Sequence, residues 1–119
     1  MTRFDKLVRD DIPAVIRENG ETPVTHVADG EEYRDRLREK LVEEAREFRA
    51  DPSAEELADV LTVLDAVRDA EDIPAEAVAR ERREKLAARG GFEEGIVLEA
   101  VLADGESTAS EPGTEPGED

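Results

Sequence analysis

Two long stretches with helical periodicity, joined by a short Asp-Pro-Ser turn, constrain the fold of this chain most strongly. They cover about residues 30–49 and 51–70. Apolar side chains recur every three or four positions in both, which is the spacing of one face of an α-helix. Because the turn is short, we expect the two helices to pack antiparallel as a hairpin.

Two shorter helices and a pair of β-prone segments complete the prediction. An Asp-Asp-Ile-Pro start predicts a helix that runs to Glu18, and an Ile-Pro start predicts another that runs to Arg89, before two glycines. Residues 22–27 and 96–102 allow a small two-stranded β element. The predicted fold class is therefore mainly all-α, an antiparallel bundle of about four helices with at most that β element.

The last part of the chain differs in composition from the rest. From Ala103 onward it reads ADGESTASEPGTEPGED, with acids, proline and glycine but no base and almost no apolar residue. Such a segment buries too little surface to offset the entropy that ordering would cost. We therefore predict one domain over residues 1–102 and a disordered acidic tail over residues 103–119.

The charge of the chain restricts its partners. The 119 residues include 33 acids and 16 bases, for a net charge of −17. This surface repels nucleic acids and anionic membranes, so we expect neither as a partner. Excess acid with little lysine is also typical of halophilic proteins, because concentrated salt screens self-repulsion. Without a long apolar run or a basic-then-apolar start, the chain is expected to be cytoplasmic.

Some acidic residues near the turn point toward the predicted core. With about 100° per residue, Glu44 falls inside the apolar stripe of the first long helix, whereas Glu47 flanks that stripe and Glu43 lies farther out. On the second long helix, Glu56 projects between valines and Asp59 borders the apolar arc. An ionised carboxylate in such a position is costly unless it is paired or coordinated.

Acids from two adjacent helices favour a divalent cation. The short turn would bring the acidic pairs together, and their pKa values would rise unless a cation balanced them. Mg²⁺ suits oxygen donors best, with Mn²⁺ as a substitute, while the lack of cysteine and the single histidine argue against Zn²⁺. Two other interpretations stay open: Glu56 completes a capping box that begins at Ser53, and Glu43 and Glu47 are solvated surface acids.

Three segments of the chain resemble a family of all-α enzymes. EEARE at residues 43–47, followed by ELAD at residues 56–59, is similar to the E-E-x-x-E … E-x-x-D signature of the all-α nucleoside triphosphate pyrophosphatases. FDKLVRDDIP at residues 4–13 and EKLAARGGF at residues 84–92 resemble one subgroup, the small MazG-like house-cleaning proteins. Together the resemblance covers roughly residues 4–102.

The resemblance implies a metal site, a reaction and an oligomer. The Mg²⁺ ligands would be Glu44, Glu47, Glu56 and Asp59, and Glu43 would be an auxiliary catalytic acid that either supports a ligand or orients the attacking water. The implied reaction is NTP + H₂O → NMP + pyrophosphate, by attack at the α-phosphorus. At least a homodimer is expected, both from the resemblance and because a hairpin with a widely apolar helix buries little surface on its own.

A triphosphate substrate needs cationic partners, and the sequence offers two groups. Lys85 and Arg89 lie on one stripe of the last helix, and Lys6 and Arg9 lie in the N-terminal segment. We predict that all four contact phosphate. As an alternative, Lys85 and Arg89 only stabilise the C-terminal end of their helix electrostatically.

The leading hypothesis is a Mg²⁺-dependent NTP pyrophosphohydrolase that removes non-standard nucleotides. One alternative is the phosphoribosyl-ATP pyrophosphohydrolase of histidine biosynthesis, because KLVEEARE at residues 40–47 also resembles that enzyme. Another is a non-catalytic helical interaction module whose acids serve only solubility. The segments at residues 4–13 and 84–92 favour the first.

Overall fold

The computed structural model describes residues 1–103 and residue 105, and this part of the chain contains four α-helices and no β-strand. The helices are α1 (Ile12–Glu18), α2 (Gly30–Ala50), α3 (Ala54–Ala70) and α4 (Ala75–Arg89). The predicted all-α fold class is therefore confirmed. The predicted tail lies outside the described residues except at positions 103 and 105.

The β element that the sequence allowed is absent from the described part of the chain. Residues 22–27 and 96–102 have no regular secondary structure. Side chains such as Val24 and Ile96 are exposed there. Residues with a high β-propensity suit a pleated, half-buried surface, and they form a strand only where a neighbouring strand accepts their backbone hydrogen bonds.

Helices α2 and α3 pack against each other as the predicted antiparallel hairpin. Their connection is only three residues long, from Asp51 to Ser53. Arg38, in the first half of α2, donates from Nε to Glu71, just beyond the end of α3, at 2.8 Å. Leu37 on α2, with 3% of its surface exposed, is the only buried apolar residue among those described.

The ends of α3 are set by local hydrogen bonds. Ser53 is the N-cap, and its Oγ accepts the backbone N–H of Glu56 at 3.3 Å. At the other end Asp72 adopts a left-handed φ of +56°, and the N–H of Ile73 donates to the carbonyl of Arg68 at 3.0 Å. Because the N-cap determines where α3 begins, it also determines which way each acid on its first two turns projects.

Contacts divide the chain into a first unit, Met1–Arg80, and a second unit that begins at Glu81. The acids of the predicted metal site all lie in the first unit. Lys85 and Arg89 are exposed residues on the part of α4 that belongs to the second unit. A single domain over residues 1–102 stays a prediction. Among the described helices, none has the length and apolar character needed to cross a membrane.

Candidate metal centre

Three of the four predicted metal ligands converge between α2 and α3. Glu44 comes from α2, and Glu56 and Asp59 come from the first two turns of α3. One carboxylate oxygen from each lies within 4.8 Å of the other two. All three residues are half-buried, and the Glu44 side chain is only 12% exposed. We call these three residues the acid cluster.

Glu47 lies at the edge of the acid cluster. It is exposed and does not belong to the group of converging oxygen atoms. Its charge nevertheless acts on the cluster, since the pKa of Glu56 is raised first by partial burial and then by repulsion from Glu47, Asp59 and Glu44. The four predicted ligands therefore interact electrostatically, although only three share one position for a cation.

Only one of the two hydrogen bonds of a capping box forms at Glu56, and it involves the backbone of Glu56. The N–H of Glu56 donates to Ser53, as an N-cap requires. The reciprocal bond, from the Ser53 N–H to the Glu56 carboxylate, does not occur within residues 1–103, and that carboxylate makes no hydrogen bond there. Capping thus leaves the side chain available for coordination.

Lys40 is a member of this site that the sequence argument missed. Its ammonium lies 3.2 Å from Oε1 of Glu43 and 3.2 Å from Oε1 of Glu44, and its side chain is 15% exposed. The sequence spacing predicts these contacts, because residues three and four positions after a lysine lie on the same helix face. Lys40 thus bridges the two glutamates.

Two residues predicted to bind phosphate, Lys6 and Arg9, contact carboxylates in the structure, and their role in phosphate binding stays a prediction. Lys6 Nζ lies 3.0 Å from Oε2 of Glu43, and Arg9 Nη2 lies 2.7 Å from Oδ1 of Asp59. Burial raises the pKa of Glu43, but hydrogen bonds from Lys6 and Lys40 outweigh it, so the net effect is a lowered pKa. Glu43 therefore stays ionised at neutral pH. It lies outside the acid cluster, and Lys40 links it to Glu44.

Lys85 and Arg89 keep their predicted place on α4. They lie four residues apart near its C-terminal end, where their positive charge also stabilises the helix dipole. The helix ends as predicted, with Gly90 in a left-handed conformation at φ +82°. A role for these two residues in phosphate binding stays a prediction.

The donor atoms suit a hard cation. The acid cluster offers only carboxylate oxygens, which Mg²⁺ and Mn²⁺ prefer, and contains neither the imidazole nor the thiolate typical of Zn²⁺ sites. A shallow concave surface of about 290 Å³, largely open to solvent, lies on α2. Glu43 and Glu47 line it with three other α2 residues, and no member of the acid cluster does. The donor atoms therefore fit the implied metal.

No protein-family model, no curated protein and no solved structure matches this chain. Its function must therefore be inferred from its own residues and their geometry.

Proposed function

We propose that this protein is a Mg²⁺-dependent nucleoside triphosphate pyrophosphohydrolase that acts on non-standard nucleotides. The observation that carries the proposal is the convergence of Glu44, Glu56 and Asp59 from two helices. In a chain with a net charge of −17, acidic side chains that bind nothing should lie apart in solvent, where the repulsion between them is smallest. The fold instead gathers them half-buried, and the raised pKa of Glu56 reflects the resulting free-energy cost.

In the proposed mechanism, the acids would bind the metal and Lys40 would orient one of them. Glu44, Glu56 and Asp59 would hold the metal, with Glu47 as the fourth ligand that the resemblance implies. Bound Mg²⁺ would neutralise charge on phosphate oxygens and activate water. Lys40 holds Glu44 against Glu43, which keeps the ligand oriented. In the reaction, the oxygen of water forms a bond to the α-phosphorus, and the bond to the bridging oxygen breaks as pyrophosphate leaves.

The cations of the N-terminal segment support a phosphate substrate. Arg9 contacts Asp59, one of the acids that would hold the metal, and Lys6 contacts Glu43, the neighbour of Glu44 in α2. A triphosphate bound through the metal would therefore lie within reach of both side chains. Contacts from Lys85 and Arg89 belong to the proposal on the evidence of the resemblance alone.

A pyrophosphate-release assay tests the proposed activity. Purified protein should convert at least one nucleoside triphosphate to equal amounts of monophosphate and pyrophosphate, with Mg²⁺ or Mn²⁺ and not with EDTA. The screen should include standard and damaged nucleotides and phosphoribosyl-ATP, each at low and high KCl, because high salt screens the acidic surface. Turnover of phosphoribosyl-ATP alone would favour the histidine-biosynthesis alternative. Release of orthophosphate, or no turnover of any compound, would contradict the proposal.

We also propose that the protein is at least a homodimer through α3. Leu57, Leu61 and Leu64 on this helix are 46%, 55% and 41% exposed in the single chain. Full burial of a leucine contributes about 1.5–3 kcal/mol relative to exposure, so covering this face would stabilise the protein substantially. The alternative, that α3 faces water with three leucines, leaves a large apolar patch unexplained.

Leu61→Arg should convert the dimer to a monomer. A charge at the centre of the apolar face would have to be buried on association, which strongly disfavours the dimer. Light scattering after size-exclusion chromatography should give at least twice the chain mass for the wild type and a lower mass, that of the single chain if α3 forms the only interface, for Leu61→Arg. Thr62→Arg, at the exposed neighbouring position, is the matched control and should stay dimeric. A monomeric wild type at all concentrations would disprove the dimer without touching the metal site.

A further inference from the structure

The N-terminal segment has contacts that the proposed reaction does not require. We call residues 4–11, which precede α1, the N-terminal strap. It forms neither helix nor strand, and only Leu7 and Val8 within it are half-buried. Apolar burial therefore contributes little to its position.

Charge holds the strap on α2 and α3. Three ion pairs join Asp5 to Arg36, Lys6 to Glu43 and Arg9 to Asp59, at N···O distances of 2.9, 3.0 and 2.7 Å. Arg36 also donates to the Asp5 carbonyl at 2.9 Å. Asp5 has a left-handed φ of +47°, which aspartate tolerates better than most residues. Arg36 thus fixes the turn from which the rest of the strap extends.

The pair between Arg9 and Asp59 competes with metal coordination. Asp59 is one of the three converging carboxylates, and its Oδ1 already accepts a hydrogen bond from Arg9. A divalent cation bound by Asp59 would lie close to the guanidinium, and the two positive charges would repel each other. A solvent-exposed ion pair is weak, whereas several carboxylates act together on a divalent cation. The cation should therefore displace Arg9.

We propose that Arg9 is a built-in counter-cation for Asp59, which keeps the Arg9 end of the N-terminal strap on the acid cluster until a divalent cation replaces it. The inference rests on the proposed metal site. By linkage, metal binding weakens the attachment of the strap by the same factor by which the attached strap weakens metal binding. The released guanidinium is then available to phosphate, so Arg9 exchanges the carboxylate of Asp59 for a phosphate group of the substrate.

Isothermal titration of the full chain with MgCl₂ tests the competition. Arg9→Gln should bind Mg²⁺ about two- to fivefold more tightly than Arg3→Gln, a factor set by the weakness of an exposed ion pair. Both variants remove one positive charge from the same end of the chain. Arg3 is exposed and has no side-chain hydrogen bond or ion pair among the described residues, so it controls for the change in net charge.

A distance measurement tests the release of the strap directly. Because the chain has no cysteine, Asp10→Cys with Thr62→Cys would carry the only two spin labels, with the first next to Arg9 in the strap, in protein diluted with unlabelled chains. Without metal, the distance distribution between the strap and α3 should be narrow. It should broaden when Mg²⁺ is added. In an Arg9→Gln background it should be broad from the start.

The outcomes separate this inference from the proposed function. If Mg²⁺ binds but the two glutamine variants have equal affinities, or if Mg²⁺ leaves the distance distribution unchanged, the strap proposal is overturned and the metal site stands. If Mg²⁺ does not bind the wild type at all, both are overturned.

Discussion

Glu56→Gln should lower pyrophosphate release by at least about 100-fold at saturating nucleotide and Mg²⁺. Residues that only support a metal ligand already cost about 10–100-fold when they are changed, and the loss of a ligand should cost no less. Glutamine keeps the size and shape of glutamate but removes its charge, so the helix and its N-cap remain intact. Glu44→Gln should have an effect of the same order, because Glu44 also belongs to the acid cluster and its side chain is only 12% exposed, against 32% for Asp59.

Glu55→Gln is the matched control for this substitution. Glu55 is the preceding residue in the first turn of α3, it is exposed, and it does not belong to the acid cluster. It should retain nearly full activity. Equal losses in Glu55→Gln and Glu56→Gln would mean that general surface charge, and not a metal site, accounts for the effect. Rates should be compared after circular dichroism has shown that all variants are helical.

Addition of Mg²⁺ should raise the melting temperature of the wild type by about 10 °C or more. A ligand that binds only the folded state at one hundred times its dissociation constant stabilises that state by about 2.7 kcal/mol. For a domain of this size, each kcal/mol corresponds to about 4–8 °C. Glu56→Gln should melt higher than the wild type without metal, because it removes repulsion among the acids, and should respond little to Mg²⁺.

The effect of Glu56 on the stability of the metal-free protein should depend on pH. The pKa of Glu56 is raised in the folded state, so the folded protein binds more protons than the unfolded chain between the two pKa values. The contribution of Glu56 to the stability of the metal-free protein should therefore fall as the pH rises through that interval, so the difference from Glu56→Gln should widen, and the stabilisation by Mg²⁺ should grow. Melting curves between about pH 4 and pH 7, with and without Mg²⁺, measure both trends.

If the protein is a non-catalytic interaction module, Mg²⁺ should not raise its melting temperature. This hypothesis also allows Glu56→Gln to be neutral or stabilising, so the stability of that variant alone does not separate the hypotheses. The response to Mg²⁺ does, because acids that serve only solubility bind the ion weakly and non-specifically, and Ca²⁺ or high KCl would have similar effects. A wild type whose melting temperature is unchanged by Mg²⁺ would support the module.

The helices and the direction of their side chains could be predicted because both depend on local sequence. The Asp-Pro-Ser turn and the Ile-Pro start placed the ends of α2, α3 and α4 within about three residues of their positions in the structure, since caps and proline act over one turn. The helical wheel also placed Glu44 and Glu56 beside the core, and both are half-buried. The presence or absence of the β element could not be decided in this way, because a strand needs a partner, and residues 22–27 have none among the described residues.

The position of each cation was decided by the tertiary structure. Lys40 could have been placed from its spacing on α2, but nothing periodic links Lys6 or Arg9 to acids some 40 or 50 residues farther along the chain. Their contacts depend on where an irregular segment lies across two helices, and exposed ion pairs carry no signature in sequence.

The sequence by itself thus determined the helical hairpin and the four acids that turn toward it, because helix periodicity and a short connection leave one arrangement. Only the tertiary structure decided that three of these acids converge while Glu47 stays at the edge. It also decided that Arg9 contacts Asp59. The reason is physical: distances between side chains on different elements depend on packing, and packing is a property of the folded chain.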